Sequence, residues 1–127
     1  IWAHLGRAAP DVLAGVLARN SNIYTDISAV FPYGHHDCCI SESSLDCYRE
    51  YTLKNCVVDT TGALKPEWRP VFERYSDRVM IGTDAMSAKC YEAYEALTNQ
   101  IRDVLSGLDE KAARTIASEN AIRVFKL

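Results

Sequence analysis

The stretch Val79-Met80-Ile81-Gly82-Thr83-Asp84 decides how the rest of the chain is read. Three apolar residues in a row predict a short buried strand, and the Gly after them lets the backbone turn and present Asp84 at the strand's C-terminal tip. In parallel α/β proteins that tip is where chemistry is carried out. Ile1-Trp2-Ala3-His4-Leu5-Gly6 repeats the construction, with His4 in the place of the carboxylate. Two strand ends built alike predict one shared site.

Working outward, residues 1–4 read as a first strand and residues 10–19 as a helix, with Pro10 at N1 and Leu13, Val16 and Leu17 on one face. Residues 23–27 form a second strand carrying Asp26 near its end, which completes a strand–helix–strand unit. A helix opening at Pro66, with Trp68, Val71, Phe72 and Tyr75 as its packing residues, leads through Asp77-Arg78 into the third strand, 79–82. The Asp77-Arg78 pair is expected as an ion pair or strand cap of small energetic weight. Residues 87–127 read as C-terminal helices: Tyr94, Leu97, Ile101, Val104 and Leu108 recur in steps of three and four, Asp109 caps the next helix over Ala113, Ile116 and Ala117, and 120–125 forms the last.

Three strands separated by helices, with no hairpin signal between them, predict an α/β fold with a parallel sheet, in one domain covering 1–127. A sheet of three parallel strands leaves two edges open, so something further is expected to complete it. Between the second and third strands, residues 29–65 lose periodicity and are expected as a long irregular loop of the kind that usually carries function or lacks order. The chain opens at Ile1 inside an apolar run and without an initiator Met, which suggests a fragment of a longer protein.

Composition narrows the classes. The 127 residues are 48% hydrophobic and carry 14 basic against 17 acidic side chains, for a net charge of -3. The basic residues are scattered, which argues against nucleic acid or an acidic membrane as partner. No apolar run approaches a bilayer span and no signal-peptide pattern opens the sequence, so a cytoplasmic location is expected, with a secreted parent as the alternative.

His4, Asp26 and Asp84 fall at or near the ends of the three predicted strands. Neighbouring parallel strands lie about 4.8 Å apart, so side chains at their tips can converge. Imidazole and carboxylate are ligands of a zinc-type ion and serve equally as general bases toward water. The plain alternative is that the two carboxylates cap local structure and His4 is an interior histidine.

Five segments taken in order, Ile1 to Arg7, Asn22 to Ser28, Gly62 to Arg69, Asp77 to Asp84 and Ala117 to Ala121, resemble the C-terminal part of the amidohydrolase-2 type of metal-dependent hydrolases. The resemblance implies a (β/α)8 TIM barrel to which this chain contributes strands six to eight with their helices. It implies a divalent metal, expected to be zinc, with Asp84 as the strand-eight carboxylate that binds metal or takes a proton from water. His4 would be the strand-six histidine, a ligand or a general acid/base, and Asp26 an acidic residue more often structural. Relatives include hydrolases of amides, esters or lactones and non-oxidative decarboxylases, so the substrate is expected to be a small molecule of either class. The long loop would lie over the active-site mouth, where His35, His36, Arg49 and Tyr33 are candidate substrate contacts.

The sequence departs from the family in lacking its His-x-His pair and its further His; only three His occur. A barrel also takes about 250 residues. The fragment alone is therefore expected to be inactive. Two rival expectations follow: a non-catalytic remnant that self-associates or binds a partner protein through open sheet edges, and a small zinc module built from His35, His36, Cys38, Cys39, Cys47 and Cys56 in the long loop. The latter lacks standard ligand spacing. Five Cys is an odd number, with Cys90 the natural leftover, and free thiols in a reducing compartment are the expected state.

Overall fold

The computed structural model describes residues 1–28, 56–59, 61–85, 88–92 and 94–127. At its centre Thr25–Asp26 (β1) pairs in parallel with Val79–Met80 (β2), Thr25 opposite Val79 and Asp26 opposite Met80. A single parallel bridge sets Trp2 on the other side of Thr25. The three segments thus lie side by side in the order Trp2, β1, β2. The backbone N–H of Trp2 donates to Tyr24 O at 2.6 Å, and that of Ile27 to Met80 O at 3.0 Å.

The expected first strand, 1–4, is not formed. After Trp2 the chain leaves the sheet in a tight 3₁₀-type turn, Ala3–Arg7. His4, Leu5, Gly6 and Arg7 all have left-handed backbones, with φ between 51° and 62°. Each non-glycine residue in that region costs about 1–2 kcal/mol, so local interactions must offset it. Three are visible. The Thr25 hydroxyl donates to Trp2 O, and the N–H of His4 donates to Asp26 Oδ1 at 3.3 Å instead of extending a ladder. Leu5 is fully buried. Gly6 is required twice over, by its φ of 62° and by the Trp2 indole, which would lie 2.0 Å from any Cβ there.

The first helix, Pro10–Arg19 (α1), has the expected bounds; Leu13 and Leu17 are buried, Val16 half-buried. Its last carbonyls find a partner that periodicity does not reveal. Arg78 Nη1 donates to Leu17 O at 2.6 Å and to Asn20 O at 2.9 Å, while its guanidinium lies 5.0 Å from the Tyr75 ring centre. The expected Asp77–Arg78 pair is present only at 3.9 Å with Asp77 mostly exposed. Arg78 is above all the C-terminal cap of α1.

The end of the expected irregular loop is ordered. Cys56, Val57 and Val58 are buried, and Val58 bridges antiparallel to Leu64, a small hairpin where none was expected. Asp59 closes its turn: Oδ1 accepts from the N–H and hydroxyl of Thr61 at 2.7 and 2.6 Å and from the N–H of Ala63 at 3.2 Å. Those bonds, the Thr61 hydroxyl first, hold the Asp59 carboxyl below the ordinary range. Burial pushes the Cys56 thiol up, as befits a thiol packed in the core. The rest of the Cys/His cluster lies outside the described residues.

The helix expected to open at Pro66 begins at Arg69–Arg74 (α2), with turns over 66–68 and Pro70 in the first helical turn. Its packing residues are as expected: Trp68, Val71, Phe72 and Tyr75 are buried, Trp68 stacks on Phe72 at 5.5 Å, and its Nε1 donates to Cys56 O at 3.1 Å. Beyond β2 follow Ala88–Glu92 (α3) and Tyr94–Ser106 (α4), the latter burying Leu97, Ile101 and Val104. Asp109 caps Glu110–Arg114 (α5) by accepting from Ala112 N–H at 2.8 Å, as expected. A π-helical turn, Thr115–Glu119, joins α5 to Asn120–Phe125 (α6), so the last two expected helices are continuous. The buried face runs Ala112, Ile116, Asn120.

Asn120 is fully buried and donates from Nδ2 to Ser76 O at 2.6 Å and Val79 O at 2.7 Å. Arg123 in turn donates to Asn120 Oδ1 at 2.8 Å and to Asp77 O. The final helix thereby pins the entry of β2. Among the described residues no helix is long and apolar enough to cross a membrane.

Candidate functional site

The end of β1 and the left-handed turn after Trp2 bring together two of the three expected strand-tip residues, His4 and Asp26, with Ser28. Asp26 Oδ1 is the hub. It accepts from the backbone N–H of His4 at 3.3 Å, the backbone N–H of Ser28 at 3.0 Å and the Ser28 hydroxyl. Ser28 Oγ also stands 2.8 Å from His4 Nδ1, and Ser28 O lies 3.3 Å from the same nitrogen. Asp26, Ser28 and His4 thus form one hydrogen-bonded chain. Ser28 is nearly fully buried, while His4 and Asp26 are half-buried at its mouth.

Local sequence explains the arrangement. Just past β1 the chain turns, and the N–H and hydroxyl of Ser28 both bond back to Asp26 two residues earlier, the i→i+2 pattern of an Asx turn. On the neighbouring segment Gly82 presses against that turn: a Cβ there would stand 3.1 Å from Ser28 Cβ and 3.2 Å from Asp26 Oδ1. Contact that close is tighter than most side chains make, so a Cβ at Gly82 would require Ser28 or Asp26 to give way. Two residues later Asp84 adopts a left-handed backbone, φ 50°, and is half-buried. A non-glycine residue held in that region after a strand is the kind of local strain that accumulates at functional sites.

His4 and Asp26 are therefore linked through Ser28, and Asp84 ends the segment that packs on them. His35, His36, Arg49 and Tyr33, the expected substrate contacts, lie outside the described residues. No local signal marks Ser28; that for Gly82 was its place in the opening motif.

Among the described residues no three His, Cys, Asp or Glu side chains gather where they could hold a metal ion. The donors present do not by themselves fit the divalent ion that the resemblance implies. A groove of about 640 Å³ lies elsewhere, lined in part by Thr61, Leu64, Arg69, Asp103 and Ser106. It contains none of the strand-tip residues.

With the geometry in view, the comparison with known families is decisive: the amidohydrolase family model matches residues 1–127. The chain belongs to the amidohydrolase family. No curated protein and no solved structure compared with it gives a significant match. In this amidohydrolase chain the candidate carboxylate, Asp84, follows the parallel β1–β2 pair.

Proposed function

We propose that this chain supplies the last strands and helices of an amidohydrolase barrel and, with them, the acid/base half of its active site. The observation that carries the reading is the match over residues 1–127 together with the Asp26–Ser28–His4 chain, against which the segment ending at Asp84 packs. Asp84 takes the proton of an attacking water, and His4 moves a proton to or from the reacting group of the substrate. Asp26 and Ser28 hold the imidazole in place. The family's divalent ion, expected as zinc, needs more ligands than the described residues assemble, and the chemistry assigned to this chain is that of its own side chains. The substrate class is a small amide, ester or lactone, with decarboxylation of a carboxylic acid as the related reaction.

The test is turnover by a protein carrying these residues within a complete barrel. Assayed on a panel of amides, lactones and aryl carboxylic acids, it should turn over one class, and His4→Asn should slow it by about 10²–10⁴-fold. Turnover unchanged by His4→Asn removes the histidine from the mechanism.

A further inference from the structure

The hydrogen bonds around His4 determine which ring nitrogen carries its proton, and from this we infer that Ser28 and Asp26 are positioning residues that fix neutral His4 as the Nδ1–H tautomer, so that it enters the reaction as a proton acceptor through Nε2. The inference deepens the acid/base role proposed for His4 and depends on that role only for its catalytic meaning.

The argument is one of donors and acceptors. An ionised carboxylate has no proton to give, so Asp26 accepts, and the Ser28 hydroxyl must spend its single hydrogen on Oδ1. What remains on Ser28 Oγ is lone-pair capacity. His4 Nδ1, 2.8 Å away, must then be the donor of that pair. The second neighbour of Nδ1, Ser28 O at 3.3 Å, is a carbonyl and accepts only. Both contacts require hydrogen on Nδ1, and in a neutral imidazole a hydrogen on Nδ1 leaves Nε2 with a bare lone pair.

Polarity is locked by the backbone as well. Asp26 Oδ1 also receives the backbone N–H groups of Ser28 and His4, which can only donate, so Oδ1 serves throughout as acceptor. Gly82 lies against the same cluster: a Cβ there would stand 3.1 Å from Ser28 Cβ and 3.2 Å from Asp26 Oδ1. When Nε2 takes a proton the imidazole becomes imidazolium, Nδ1–H stays on Ser28 and the Ser28 hydrogen stays on Asp26. One N–H bond forms at Nε2 as the X–H bond of the reacting group that gives the proton breaks, and no proton moves within the Asp26–Ser28–His4 chain.

The experiment is a long-range ¹H–¹⁵N correlation spectrum of the histidine rings in a ¹⁵N-labelled protein carrying these residues within a complete barrel, at alkaline pH where imidazole is neutral. His4 is assigned by its disappearance in His4→Asn. The expected spectrum shows a protonated Nδ1 and an unprotonated Nε2; a His4 with its hydrogen on Nε2 overturns the inference. Asp26→Ala frees the Ser28 hydroxyl to donate to Nδ1 and should reverse the tautomer ratio, whereas Asp26→Asn retains an oxygen acceptor and should keep the wild-type pattern. If Asp26→Ala does not fold, Ser28→Ala deletes only the hydroxyl and should raise the Nε2–H fraction. A tautomer indifferent to these changes overturns the relay. Because the spectrum needs no substrate, failure here is distinct from failure of the proposed activity, which turnover alone reports.

Discussion

Gly82 backs directly onto Ser28: a Cβ on the glycine would stand 3.1 Å from that of the serine and 3.2 Å from Asp26 Oδ1. The spacing links the segment that ends in Asp84 to the cluster that holds His4. Gly82→Ala should cost about 1–3 kcal/mol through overpacking, read as a lower midpoint in urea. Gly15→Ala is the control. A Cβ there meets only the flexible end of Arg19, and the alanine should stabilise α1 by up to about 1 kcal/mol.

Asn120 predicts a second, independent loss. Its Nδ2 serves the carbonyls of Ser76 and Val79 in a fully buried setting, so Asn120→Ala leaves those acceptors without their partner. The expected cost is about 1–3 kcal/mol for a buried group left unpaired. Amide exchange near β2 should quicken along with the global destabilisation.

Arg78→Ala should act on a helix far from it in sequence. Removing its bonds to Leu17 O and Asn20 O uncaps α1. Hydrogen bonds from a charged group are worth about 1.5–3 kcal/mol, and the loss should appear as faster exchange in the last turn of α1. Arg78→Lys keeps charge but not the forked geometry and should recover only part. Asp77→Ala, which removes the 3.9 Å pair, should change stability little.

Stability should respond to pH from both ends. The Asp59 carboxyl is held low in the fold by Thr61 and Ala63, so its contribution is present above the unfolded value of about 3.9 and is lost as pH falls through the lower folded value. Asp59→Asn should remove that part of the acid dependence. Cys56 behaves oppositely. Its thiol is raised by burial, so the preference for the fold is complete below the unfolded value of about 8.5 and declines as pH rises toward the folded one. Urea titrations of wild type and Cys56→Ala between pH 7 and 10 should converge at the alkaline end; a constant difference contradicts the assignment.

What was legible in the sequence followed periodicity and punctuation. Pro10 and the 3–4 spacing of Leu13 and Leu17 defined α1, Asp109 announced its cap, and the Trp68–Phe72 packing face was visible before its partners were known. The first strand was misread because Ile1 to His4 is apolar enough to be a strand, while the forces that turn it lie elsewhere in the sequence, in Thr25 and Asp26. Arg78 and Asn120 were similarly opaque, since each bonds to backbone carbonyls of other elements and no local pattern encodes those partners. At the site, His4 and Asp26 are marked by their positions, but nothing in the local sequence singles out Ser28. Its role exists only because the left-handed turn carries Nδ1 of His4 over it.

The central claim is that Asp84, at the end of the segment packed on the His4 cluster, is the carboxylate through which this chain takes part in catalysis. Its most direct test is kcat/KM of Asp84→Asn against wild type in a complete barrel containing these residues, with circular dichroism confirming an intact fold. The account predicts a fall of about 10²–10⁴-fold, the usual worth of a general base; a correctly folded Asp84→Asn enzyme with wild-type turnover contradicts it.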